Sequence, residues 1–142
     1  MEVPEVRRRL RAAIESARKR SQERRARTDE AARDYDQFLR ERAIPVFHTF
    51  ASALIAEGYR FKVFTPADSV RLASESSGDD YIELTLDPAS DPPVVIGRTS
   101  RGRGRRLVES ERPLTEHSSI SALTDEDVLA FLANEIGPFV ER

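Results

Sequence analysis

Gly58-Tyr59-Arg60-Phe61-Lys62-Val63-Phe64 is the stretch on which the fold turns. Before Gly58, apolar residues recur every three or four positions; after it they alternate, Tyr59, Phe61 and Val63 against Arg60 and Lys62. A period near 3.6 marks an amphipathic helix and a period of two a half-buried strand. Gly58 is placed to end the helix, because the position after a helix C-terminus favours a residue that tolerates positive φ. Downstream, Thr65-Pro66-Ala67-Asp68 reads as a turn and Val70 and Leu72 as a second strand. Another turn over Ser74–Asp79 leads to a third, with Ile82, Leu84 and Leu86 on one face and Tyr81, Glu83 and Thr85 on the other. Asp87 to Pro93 holds three prolines and closes that strand, Val94-Val95-Ile96 begins a fourth, and Leu107-Val108 marks a fifth. Short strands joined by short polar turns predict an antiparallel meander of four to five strands, its apolar face covered by helices.

Upstream, Phe47, Ala51, Leu54 and Ile55, with Phe50 beside them, form a dense helical face. Pro45 is expected to kink or restart the helix there. From Pro4, tolerated in a first turn, to Ala43 no Gly or Pro interrupts. Val6, Leu10, Ile14, Ala17, Ser21, Arg24, Thr28, Ala31, Tyr35 and Phe38 recur at spacings of three and four, apolar at both ends and weak in the middle. Glu15/Lys19, Glu23/Arg27, Asp29/Arg33 and Asp36/Arg40 have the acid-then-base i,i+4 order that supports a helix. Some 40 helical residues would run about 60 Å, longer than a small domain is wide. Thr28-Asp29-Glu30 offers a break, but the stripe passes through Thr28 without losing phase, which favours one long helix. After a loop over 112–122, Thr124 should cap a last helix that starts on Asp125-Glu126-Asp127. Val128, Leu132 and Glu135, with Phe131 and Ile136, give that helix its stripe, and Gly137-Pro138 stops it. The expected architecture is α+β: a basic helical extension over 1–43, coiled-coil-like, and a compact domain over 44–142 with the C-terminal helix packed on one sheet face.

The chain has 142 residues and no cysteine, which excludes disulfides, cysteine-based zinc sites and thiol nucleophiles. No apolar run reaches the roughly 18–20 residues of a membrane span. The N-terminus has charge but no apolar segment behind it, so it does not read as a signal peptide. These features fit a cytoplasmic protein. The net charge of −2 hides a strong asymmetry. Residues 1–28 carry a net +6, residues 98–106 carry five arginines and no acid, and the remainder carries −13. Only Lys19 and Lys62 of the 23 basic residues are lysines. Coding bias accounts for an arginine excess, but it does not place arginines in blocks.

Arg98, Arg101, Arg103, Arg105 and Arg106, with Gly102 and Gly104 among them, fall between two strands and read as a hairpin tip. Unopposed guanidinium groups there suit phosphate contacts; the alternative is a solvated loop. The other basic surface is the N-terminal helix, with Arg7, Arg8, Arg11, Arg18, Lys19, Arg24 and Arg25 among its basic residues. Charge around so much of a helix points to nucleic acid or an acidic protein surface as partner. Alternatively Val6, Leu10, Ile14 and Ala17, continued by Ala31, Tyr35 and Phe38, form a helix–helix seam with arginines at its flanks, an element for homo-oligomerisation or docking. No Trp or Phe precedes Phe38, which argues against a membrane-surface helix.

Nothing points to a metal or a cofactor. Asp79, Asp80 and Glu83 lack an acid-x-Lys companion and read as turn and strand-edge charges. His48 and His117 have no metal spacing; His48 reads as a half-buried structural residue. His117-Ser118-Ser119 lacks a nucleophile-elbow setting, and no phosphate-binding glycine loop occurs. These absences argue against an enzyme. The expected function is a small binding protein that contacts nucleic-acid backbone through the basic helix and the arginine tip, with a protein-interaction or assembly module as the alternative.

Overall fold

A computed structural model describes residues 1–116 and 119–141; His117, Ser118 and Arg142 lie outside the described residues, and with them any reading of the His117-Ser118-Ser119 loop. Helix α1 spans Val3–Phe38, passes through a π turn at Leu39–Ala43, and continues as α2 over Ile44–Ala56. At 1.5 Å per residue the run is about 80 Å long. It does not break at Thr28, whose hydroxyl donates to the Arg24 carbonyl at 3.0 Å instead of capping a new helix. The irregularity expected at Pro45 is the π turn just upstream, where the Ile44 N–H reaches back five residues to the Leu39 carbonyl. Proline has no N–H to give and its ring crowds the preceding turn. One widened turn accommodates both, so the helix carries on rather than restarting.

Of the four i,i+4 pairs, only Asp36–Arg40 forms. Arg27 turns away from Glu23 to a more distant acid. Gly58, at φ +93°, ends α2 as expected. Its N–H donates to Ile55 at 2.9 Å and the Tyr59 N–H to Leu54 at 2.8 Å, the paired bonds of a Schellman cap.

The sheet is an antiparallel meander in sequence order: β1 Phe61–Phe64, β2 Ser69–Ser74, β3 Tyr81–Asp87, β4 Val94–Arg103 and β5 Arg106–Pro113. The last two strands are longer than the sequence suggests. β4 runs ten residues, through Gly102, and β5 takes in Arg112 and Pro113, where the sequence predicts a loop. Val70 and Leu72 face Leu84 and Ile82 across the ladder, and all four are fully buried. With Phe61 and Val95 they meet Phe47, Ala51 and Leu54 of α2. Helix α3, Asp125–Glu135, adds Val128, Phe131 and Leu132. Thr124 caps it in a reciprocal box: the Asp127 N–H donates to Thr124 Oγ1 at 3.2 Å, and the Thr124 N–H to Asp127 Oδ2 at 2.8 Å. A short α4, Gly137–Val140, lays Phe139 and Val140 against the core.

Phe131 lies against β4 at Gly97, where a Cβ would stand 2.2 Å from the ring. The other sheet face is polar. Arg71 pairs with Glu83 at 2.9 Å and stacks 4.0 Å over the Tyr81 ring. Glu83 is therefore an almost buried partner on a central strand, not a strand-edge charge. His48 is exposed, not half-buried. The core also takes in Tyr35, Phe38, Leu39 and Ala43, so the packed body begins about ten residues before position 44.

Candidate partner-binding surfaces

Two anchors fix α1 to the body. Arg27 donates both Nε and Nη2 to the Asp91 carboxylate, at 3.1 and 3.0 Å. This hydrogen bond holds Asp91 below the usual carboxylate range. The Tyr35 hydroxyl donates to the Asp68 carbonyl at 2.5 Å, and burial pushes its pKa up. Asp68 lies in the β1–β2 turn and Asp91 in the β3–β4 loop, so α1 crosses the end of the sheet where those connections turn. Tyr35 and Phe38 are 3% and 4% exposed, and Ala31 is partly buried against the same core. Tyr35 and Phe38 are thus packed inside the chain, with Ala31 at the edge of the same contact.

Ahead of Arg27 the helix leaves the body. Val3, Val6, Leu10 and Ile14 are 71%, 45%, 57% and 41% exposed, and Ala17 is exposed beside them. Around them Arg7, Arg11, Arg18, Lys19, Arg24 and Arg25 are exposed and make no ion pair among the described residues. Arg8 and Arg9 both bond Glu5.

The second basic surface is smaller than the sequence suggests. Arg98 lies within β4 and is paired with Glu111 directly across the ladder at 2.9 Å. Arg101 and Gly102 also belong to the strand. The turn is only Gly104-Arg105, closed by the Arg103↔Arg106 pair. Gly104 sits at φ +61° in the first central position, the one where a two-residue hairpin of the II′ kind needs glycine. The Gly102 N–H donates to Asp80 at 2.8 Å, and Asp79 approaches the same glycine. The hairpin is thus braced at its backbone by Asp80 of the β2–β3 turn. Arg101, Arg103, Arg105 and Arg106 still have no ion pair among the described residues.

The two surfaces do not meet. β4 starts beside the Asp91 loop and ends at the tip, and ten strand residues span about 30 Å. The tip and the anchored end of α1 therefore lie at opposite ends of the sheet. The bonds that separate them, Arg27–Asp91 and Gly102–Asp80, join residues 64 and 22 positions apart; no local pattern announces either.

Among the described residues, no group of three His, Asp or Glu side chains could hold a metal ion, and no helix is long and apolar enough to cross a membrane. Compared with known protein families, curated proteins and solved structures, the chain matched nothing.

Proposed function

We propose that this protein is a non-enzymatic docking module that engages an acidic partner protein through the projecting part of α1. One observation carries this reading: an apolar line at Val3, Val6, Leu10 and Ile14 stands clear of the body, with unpaired arginines around it. A helix standing free in water gains no stability from tertiary packing, so this segment spends apolar surface and positive charge where the body has no use for them. A contact with nucleic-acid backbone would use the arginines and leave the apolar line idle.

The test is anisotropy at low salt with two labelled anions, poly-glutamate and a random DNA duplex. Three proteins are compared: the full chain, a chain beginning at Thr28, and a variant with Arg101, Arg103, Arg105 and Arg106 changed to Ser. Binding of poly-glutamate should vanish with the truncation and survive in the tip variant. Poly-glutamate binding that survives the truncation overturns the reading.

The four unpaired tip arginines favour a second reading, contact with nucleic-acid backbone at the hairpin. In that case duplex binding is lost in the tip variant, and log K for the full chain falls with log salt at about −0.9 per phosphate contact.

A further inference from the structure

Resting on the docking reading, we propose that the partner presents an amphipathic helix with acidic flanks, which packs lengthwise along the projecting segment of α1. The shape of the apolar surface selects a helix. Val3, Val6, Leu10, Ala13 and Ala17 follow the alternating three-and-four spacing of a helix seam, with Ile14 at its side. This is one residue wide and about 20 Å long. A helix laid in such a contact is read by anchors at i, i+3 and i+7, which Val3, Val6 and Leu10 supply. The alanines leave room for a second backbone to approach. Beyond Ala17 the same spacing runs into Arg20 and Arg24, so the apolar contact stops there.

The charge pattern selects the partner's sign. At about 100° per residue, Arg7, Arg18 and Arg25 fall along one side of the seam and Arg20 along the other. None of the four makes an ion pair among the described residues. The acids Glu5, Glu15 and Glu23 fall towards the back of the helix, away from the seam. Laid antiparallel, a second copy of this chain would bring Arg7, Arg18 and Arg25 against the same arginines of its neighbour; laid parallel, those arginines would face a flank with Arg20 and a single acid, Glu2. Flanking charges set partner choice in paired helices, and like charges brought together suppress the wrong partner. Glutamates flanking an apolar ridge meet both demands of this surface.

Two synthetic helical peptides test this, sharing one apolar seam and differing only in glutamate or lysine flanks. Titrated against the full chain, the glutamate peptide should bind at least about tenfold tighter than the lysine peptide. Leu10→Gln with Ile14→Gln, which removes the apolar anchors without changing the charge, should weaken the glutamate peptide by about tenfold or more and leave poly-glutamate binding in place. Both side chains are exposed, and an unchanged unfolding midpoint shows that the variant folds. If the glutamate peptide and poly-glutamate respond alike, and the seam variant changes neither, the contact is charge alone; the docking reading then stands and this inference falls. If the full chain has twice its monomer mass and the seam variant does not, the occupant is a second copy, and the inference is overturned. It is also overturned if phosphatidylglycerol vesicles take up the full chain through the seam while the glutamate peptide is ignored.

Discussion

The contact between Gly97 and Phe131 is the sharpest place to test the packing. A Cβ on residue 97 would lie 2.2 Å from Phe131 Cζ and 2.4 Å from Cε1. Real Cβ contacts do not come so close, so the ring must move, and at 3% exposure it has little room. Forcing extra atoms into a filled core costs about 1–3 kcal/mol. Against this, alanine in a strand is favoured over glycine by about 0.5–1 kcal/mol. Gly97→Ala should therefore destabilise the protein by about 1–2 kcal/mol, or a melting shift of about 2–4 °C for each kcal/mol at this size. Phe131→Leu removes the ring atoms that clash. It is costly in itself, though less than the about 3–5 kcal/mol of a truncation to alanine. In the Phe131→Leu background the cost of Gly97→Ala should disappear, or turn into the intrinsic gain of about 0.5–1 kcal/mol. The coupling in a double-mutant cycle should come to about 2 kcal/mol. Urea unfolding of the four proteins measures it, as midpoint shifts at constant slope. Additive effects, with coupling within about 0.5 kcal/mol of zero, would refute the claim that the ring requires glycine here.

Thr124→Ala removes the hydroxyl that accepts from the Asp127 N–H, leaves the backbone N–H of residue 124 to donate to Asp127, and should cost about 1 kcal/mol in chemical denaturation, while Thr124→Ser restores most of it. The Arg27–Asp91 clamp gives a signed pH dependence. Arg27 holds Asp91 below its ordinary range, so the clamp's contribution is fully present above that range and is lost as the pH falls through the depressed folded value. The stability difference between wild type and Asp91→Asn should therefore shrink on acidification; a difference independent of pH would show that the clamp does not contribute.

Much of the fold was legible because it rests on local signals. The switch of period at Gly58, the prolines that close β3 and the cap at Thr124 are each encoded within a few residues of where they act. The helical phase through Thr28 was legible for the same reason. What escaped depends on partners distant in sequence. The i,i+4 rule assigns Arg27 to Glu23, but a second carboxylate 64 positions away takes it. Polar alternation made Glu83 look like a surface charge, and only the ladder shows that Arg71 stands opposite it. The extent of strand β5 is not legible in the sequence because its residues are exposed along its whole length, so no apolar alternation marks it. Its register comes from pairing with β4. Tyr35 and Phe38 share a helical stripe with Leu10 and Ile14, and periodicity cannot say which part of a stripe the chain buries itself.

That last ambiguity bears directly on function. A net charge of −2 suggests a surface without electrostatic preference, and the ion pairs show why it has one. Arg27, Arg42, Arg71, Arg98 and Arg112 each hold a carboxylate on another element. The acidic body thus pairs most of the basic residues that lie on it or reach it. Among the described residues it makes no ion pair with the free arginines of the projecting helix or with Arg101, Arg103, Arg105 and Arg106 of the hairpin, which lie at opposite ends of the sheet. Salt screens charges beyond about 10 Å at ordinary ionic strength, so the body's negative charge does little to cancel either surface at that range. An electrostatically indifferent globule would need the two arginine blocks folded back onto the acids. Instead the helix passes through Pro45 without breaking and leaves the body past Arg27. Its exposed apolar line keeps the phase of the stripe that α1 buries at Tyr35 and Phe38. The same periodicity that fastens one half of α1 to its own core leaves the apolar line of the other half exposed.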